Sequence, residues 1–268
     1  MLVNGPKFTN LKSIGNYGLA DAFQKCRNLV NGPNFTSLKS IGDYGLEYAF
    51  SNCSSLSSVE LPSTPIPVGT YGCRRAFAES GIKTVENLSL SGIGQYGCKE
   101  MFLSCADLEK VDGLSVESLS AYALSGMFAN CSSLTAVQDL HIDNSEDANK
   151  KTGSSRCDSM FQNCNSLLSV GGLIKGVYGQ WALRNVFRNC KSLKDASELS
   201  VESNFGVRCF QSMFENCSEL ESMPVLLSGE TGASAQKCMY MFRNCTKLKN
   251  VNPLPDVRPY TGMYLQMF

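Results

Sequence analysis

Two apolar rhythms alternate along this chain. In the first, apolar side chains stand four before, one before, at, and three after a phenylalanine, as in Leu46, Ala49, Phe50 and Cys53. That i, i+3, i+4, i+7 stripe predicts a short helix with one buried face. In the second, apolar residues are spaced as Leu-x-x-Val-x-x-Leu-x-Val, seen in Ile82, Val85, Leu88 and Leu90 and again in Leu108, Val111, Leu114 and Val116. The closing Leu-x-Val has the period of two that belongs to a strand. Between the rhythms, Asn52, Asn130, Asn163, Asn189, Asn216 and Asn244 stand just before the cysteine position. Asparagine tolerates the left-handed conformation that ends many helices, so these residues predict helix stops.

The rhythms recur as one block, from "AFQKCRNL" near the start to "MFRNCTKL" near the end. Nine complete copies carry Phe23, Phe50, Phe77, Phe102, Phe128, Phe161, Phe187, Phe214 and Phe242, and Phe268 opens a tenth. The period is about 27 residues, in the range of leucine-rich repeats. The expected fold is therefore an α/β leucine-rich-repeat solenoid of about ten repeats, each one short strand and one short helix. Neither element buries its apolar face alone; stacking on neighbours does so. With strands pairing at about 4.8 Å, the array forms a ribbon roughly 45 to 50 Å long, a shallow surface rather than a cleft.

The stretch "SLKSIGDYGLEYAFSNCSSLSSVELP", from Ser37 to Pro62, resembles the BspA-type leucine-rich repeat. The Met-Phe copies, such as "MFANCSSL" from Met127, also resemble a related repeat of bacterial surface lipoproteins. The likeness runs through essentially the whole chain. It implies a surface protein of the kind found in bacteria and some protists, several of which resemble adhesins for host matrix or other cells; similar repeats occur in viral and phage proteins. By that resemblance the expected location is the cell surface or extracellular space. The expected partner is a protein or glycan on a host or neighbouring cell.

Charge and composition narrow this further. Lys plus Arg and Asp plus Glu are balanced at 24 each, which argues against a nucleic-acid partner. Hydrophobic residues at 43% supply a core, yet no run approaches the roughly 20 apolar residues of a membrane span, so no membrane insertion by this segment is expected. Asn4-Gly5-Pro6 matches Asn31-Gly32-Pro33 at an offset of 27, and Met267-Phe268 stops on the motif itself. Residues 1–268 are thus expected to be a single solenoid cut from a longer array, or one whose ends an assembly partner covers. The 33-residue interval between Phe128 and Phe161 holds a polar excess over residues 143–153, expected to be an exposed loop.

The thirteen cysteines follow the repeat register. Cys26, Cys53, Cys105, Cys131, Cys164, Cys190, Cys217 and Cys245 lie three after the phenylalanine; Cys73, Cys98, Cys157 and Cys238 lie four before it, where other copies have leucine. They are expected as buried thiols, with Cys209 out of phase. Two cysteines seven apart on a helix would sit about 10 Å from one another, too far for a bridge within a copy. No Cys-x-x-Cys pair and a single histidine leave no zinc site, and no nucleophile has a positioned base, so neither metal, cofactor nor catalytic residues are expected. Tyr17, Tyr44, Tyr71 and Tyr96 recur before glycine and are expected to pack at the rim with their hydroxyls at the solvent edge.

The remaining candidates are outward strand positions: Glu86, Asp112, Gln138 and His141, the last at the place held by Ser89, Ser115 and Ser200 in other copies. The expected function is non-catalytic recognition of a macromolecule through the extended face, by surface adhesion or protein–protein recognition. The rival expectation is a structural or receptor-binding component of a larger assembly, such as a virion or phage fibre.

Overall fold

The computed structural model describes residues 2–145, 154–176, 179–203, 207–228, 238–249 and 266–268. They form a parallel β-solenoid of about 8 turns. Its strands are β1 (Ser13–Ile14), β2 (Ser40–Ile41), β3 (Ile66–Val68), β4 (Thr84–Glu86), β5 (Ser89–Ile93), β6 (Lys110–Asp112), β7 (Ser115–Glu117), β8 (Ala136–Asp143), β9 (Ser169–Lys175), β10 (Leu199–Ser203) and β11 (Val225–Ser228). Every pairing is parallel, in the order β1-β2-β3-β5-β7-β8-β9-β10-β11. β4 and β6 make a second strip that joins the first half of β8. A middle coil thus carries two strand segments rather than the single one expected.

The expected helices are absent among the described residues. Where the stripe predicted a helix, every second N–H donates three residues back within the coil and the alternate ones donate to the next coil. In the coil of Phe50, Gly45, Glu47, Ala49 and Ser51 bond to the carbonyls of Gly42, Tyr44, Leu46 and Tyr48 at 3.0–3.2 Å. Tyr44, Leu46, Tyr48, Phe50 and Asn52 bond to Thr70, Gly72, Arg74, Ala76 and Ala78 at 2.6–2.9 Å. Every fourth residue is left-handed: Tyr44 at φ 55°, Tyr48 at 53° and Asn52 at 60°. The period is four, not 3.6.

Coil spacing is the physical reason. Phenylalanine rings of successive coils stack from Phe23 to Phe268 at centroid intervals of 5.0–5.9 Å, with planes within 17° of parallel. An α-helix is about 10 Å across and cannot repeat at that interval. A ribbon of tight turns can, because half its N–H groups serve the neighbouring coil. The expected stripe survives because adjacent buried pairs repeating every four residues, Gly45 with Leu46 and Ala49 with Phe50, then Cys53, also contain the spacing i, i+3, i+4, i+7. Asn52 and its equivalents are left-handed as expected, but they continue the turn ribbon instead of ending a helix.

Between turn ribbon and strands lies one core of stacked like residues, including Phe50, Phe77, Phe102, Val85, Val111, Leu90 and Val116, each at most 2% exposed. Cys209 belongs to it: it fills the first place of a buried pair with Phe210, the place of Gly45 one pair before the phenylalanine. The same place holds Arg156, fully buried, whose Nε donates to the Leu119 carbonyl at 2.9 Å. The polar stretch after β8 also departs from expectation. Asn144 is 1% exposed and acts as a connector, its amide meeting the Leu119 N–H and the Gly176 carbonyl. Orphan backbone groups where the strand ends are what make burying this side chain favourable. Residues 146–153 lie outside the described residues.

Candidate recognition surfaces

Strand register determines what the expected binding residues share. Glu86 pairs with Asp112 and Asp112 with Gln138, so the three form one row across β4, β6 and β8. Glu86 and Gln138 are exposed and Asp112 is half-buried. His141 lies farther along β8, in a different row with Ser115 and Leu173, and is half-buried. The structure therefore assembles three of the four and sets the histidine apart. Lys110 tempers the acidity of the row, holding Asp112 at 2.7 Å. That hydrogen bond raises the lysine's pKa against the opposing effect of desolvation.

Beside Gln138 the strand face is indented. The register of β8 against β9 shifts between Val137 and Leu140, and Asp139 takes φ 48°. A bulge of this kind re-aims side chains. The resulting open trough is lined by Gln138, Asp139, Ser169, Gly171, Asp195 and Glu198 among others. Its signal in the sequence is the pair of consecutive polar residues Gln138 and Asp139 between Val137 and Leu140, a break in the period of two that sequence reading passed over.

The turn ribbon carries two further rows. Tyr17, Tyr44, Tyr71, Tyr96 and Tyr122 stack ring on ring at 4.7, 5.0, 4.9 and 4.8 Å. All five are left-handed, at φ 55–58°. Tyr17 is 64% exposed and the others are half-buried, as rim packing predicts. Tyr122 escaped the sequence reading because alanine, not glycine, follows it. Burial and the neighbouring phenols raise the Tyr44 and Tyr96 pKa values. Arg74 lies over Tyr71 at 4.7 Å and Lys99 over Tyr96 at 5.7 Å.

In the later coils a row of amides appears instead. Asn163 donates to Asn130, Asn189 to Asn163, Asn216 to Asn189 and Asn244 to Asn216, each Nδ2 to Oδ1 at 2.7–2.8 Å. Each linked amide keeps a second N–H for other contacts. Asn163, Asn189, Asn216 and Asn244 line a polar trough with Asn165, Lys191 and Ser218.

The cysteines are structural donors. Cys53, Cys105, Cys131, Cys164, Cys190, Cys217 and Cys245 each give their thiol hydrogen to the phenylalanine carbonyl of the preceding coil at 3.1–3.3 Å. Burial pushes the Cys53 and Cys105 thiols up to about 11 and those of Cys157, Cys164 and Cys245 to about 12. Such thiols have almost no nucleophilic thiolate near neutrality. Among the described residues, no cluster of His, Cys, Asp and Glu is arranged to hold a metal ion.

The BspA type leucine-rich repeat region matches in 6 copies over residues 12–194 and 183–260. No curated protein matches the sequence. Among solved structures, a leucine-rich repeat protein from Bacteroides ovatus is 23% identical over 91% of this chain, with a TM-score of 0.36. This chain spans 64% of that protein's length. A leucine-rich repeat protein from Eubacterium ventriosum is 15% identical over 92% of this chain and 77% of its own, with a TM-score of 0.28. The family match covers most of the residues: the chain belongs to the BspA-type leucine-rich-repeat family.

Proposed function

We propose that this chain is a non-catalytic recognition module that binds a protein or glycan ligand across its strand face, at a cell surface. The observation that carries the reading is the row Glu86, Asp112 and Gln138, held in strict register next to the trough of Asp139, Asp195 and Glu198. Polar side chains on a rigid sheet offer many weak contacts without the ordering cost of a flexible loop. The family's general association with surfaces supports the location. Free thiols are compatible with it, since buried thiols of raised pKa resist oxidation. Among the described residues no helix is long and apolar enough to cross a membrane.

The test is binding of the purified chain to arrays of extracellular-matrix proteins and glycans, repeated with Glu86→Lys/Asp112→Lys. The expected result is a saturable ligand whose binding falls at least tenfold in the double variant while the melting temperature is kept. Undiminished binding by the variant would reject the strand face as the site.

A further inference from the structure

We infer that the tyrosine row is a surface for lateral pairing with a second copy of this chain, the two solenoids lying side by side and antiparallel. The inference is independent of the strand-face ligand, because the tyrosines stand on the turn ribbon.

The row restricts what can bind it. With rings stacked at 4.7–5.0 Å, each covers its neighbour's face, so a ligand meets ring edges and hydroxyls. Sugars and bases that seek open aromatic faces find few. A partner must therefore repeat its contacts at nearly 5 Å along the row. An extended strand repeats a face about every 6.6 Å and loses step within two rungs. A polyproline II segment turns about every 9.3 Å, close to two rungs, and so meets only alternate tyrosines. A second copy keeps step throughout.

The row admits an antiparallel two-fold, and the charges beside it favour that orientation. Turned end over end about Tyr71, the copy sets Tyr17 against Tyr122, Tyr44 against Tyr96, and Tyr71 against itself. The intervals 4.7, 5.0, 4.9 and 4.8 Å, read backwards, differ from the forward order by only 0.1 Å at each rung. This two-fold keeps the adjoining row, three residues on, facing its own counterpart: Glu47, half-buried and bonded to its own Arg74, opposes Lys99 of the second copy, which lies 3.5 Å from its own Glu100, twice per dimer. Arg74 meets Arg74 at the axis, where each guanidinium is already held by its own Glu47 at 2.6 Å and lies over its own Tyr71. A formal net charge of zero leaves no overall repulsion between copies. Tyrosine and arginine are also the residues that interface centres favour.

Five rungs form a row about 20 Å long, below the roughly 800 Å² per partner of a standard interface, so the pairing is of the weak class. Its strength would come from many copies displayed together.

The experiment is sedimentation equilibrium of the whole chain from about 5 to 500 µM, a range that brackets weak dimers, with Lys99→Glu, Glu47→Lys and their equimolar mixture, each checked for fold by thermal melting. The wild type is expected to pass from monomer to dimer, each single variant to weaken that at least tenfold, and the mixture to regain it as a heterodimer. Monomer at every concentration overturns the inference. So does a dimer indifferent to Lys99→Glu, or a mixture that fails to pair while both variants stay folded. Loss of ligand binding by the strand-face variant with dimerisation intact would leave this inference standing, and the converse would leave the ligand reading standing.

Discussion

The first and second halves of this solenoid share an interior and differ in their outer dress. Both are threaded by the same phenylalanine stack and the same thiol donors. At the left-handed places of the turn ribbon, however, the early coils put tyrosine first and the later coils put asparagine last. The early coils interrupt the last row with Lys25, Glu79 and Ser104, whereas the later coils put Ser155, Trp181 and Arg208 in the first. Asparagine suits a left-handed site and links to its neighbours by hydrogen bonds. Tyrosine suits it poorly, at a cost of roughly 1–2 kcal/mol for a residue with a side chain, and recovers part of that by stacking, about 0.5–1.5 kcal/mol per pair. The comparison teaches that the asparagine row is what stability alone would select, while the tyrosine row sits near break-even. That makes it the more informative surface for function.

The largest test of the shared interior is alkaline pH. A thiol of ordinary pKa 9.0 rises to about 11 or 12 in the fold, so its contribution is complete below pH 9 and is lost as pH climbs toward the folded value. Above pH 9 the unfolded chain sheds protons that the folded one retains, worth about 1.4 kcal/mol per pH unit for each such thiol. Melting temperature should fall steeply from pH 9 to 11, with both halves unfolding in one transition. Two separate transitions would mean the halves do not share one spine.

Next in size are Phe102→Ala in the tyrosine half and Phe187→Ala in the asparagine half. Each ring is fully buried and stacked on both sides at 5.2–5.5 Å. Each loss should be about 3–5 kcal/mol by urea unfolding. A large inequality between the two would show that the outer rows, not the spine, set local stability.

Much of this was legible in the sequence. The repeat, its strands, the outward places of Glu86, Asp112 and Gln138, the inward cysteines and the left-handed asparagines all follow from register. What misled was the stripe of Leu46, Ala49, Phe50 and Cys53, because periods of 3.6 and four agree over eight residues. What separates them is the spacing on the ribbon side, where rings repeat at 5.0–5.9 Å and leave no room for a helix, and the pattern of a single repeat does not carry that spacing. Asn144 and Arg156 could not be placed from pattern, since their burial depends on backbone groups of other coils, Leu119 and Gly176 for the one and Leu119 for the other. Tyr122 joined its row through a position, not through the glycine that flagged the others.

The smallest effects separate the rows most sharply. Asn189 donates one amide bond and accepts another, at 2.7 Å each, and glycine keeps its left-handed backbone. Asn189→Gly should therefore lose only the two hydrogen bonds, about 1–3 kcal/mol. Tyr71 stacks at 5.0 and 4.9 Å on its two sides. Tyr71→Gly forfeits two stacks and the Arg74 contact at 4.7 Å but relieves the left-handed strain, and the net loss should be about 1 kcal/mol. Urea unfolding of the two variants below the concentration of any dimer checks this directly. A Tyr71→Gly loss as large as that of Asn189→Gly would make the tyrosines a structural row like the asparagines, and would remove the reason for assigning them to a partner. A smaller loss leaves five tyrosines that intramolecular stability requires less than it requires the asparagines.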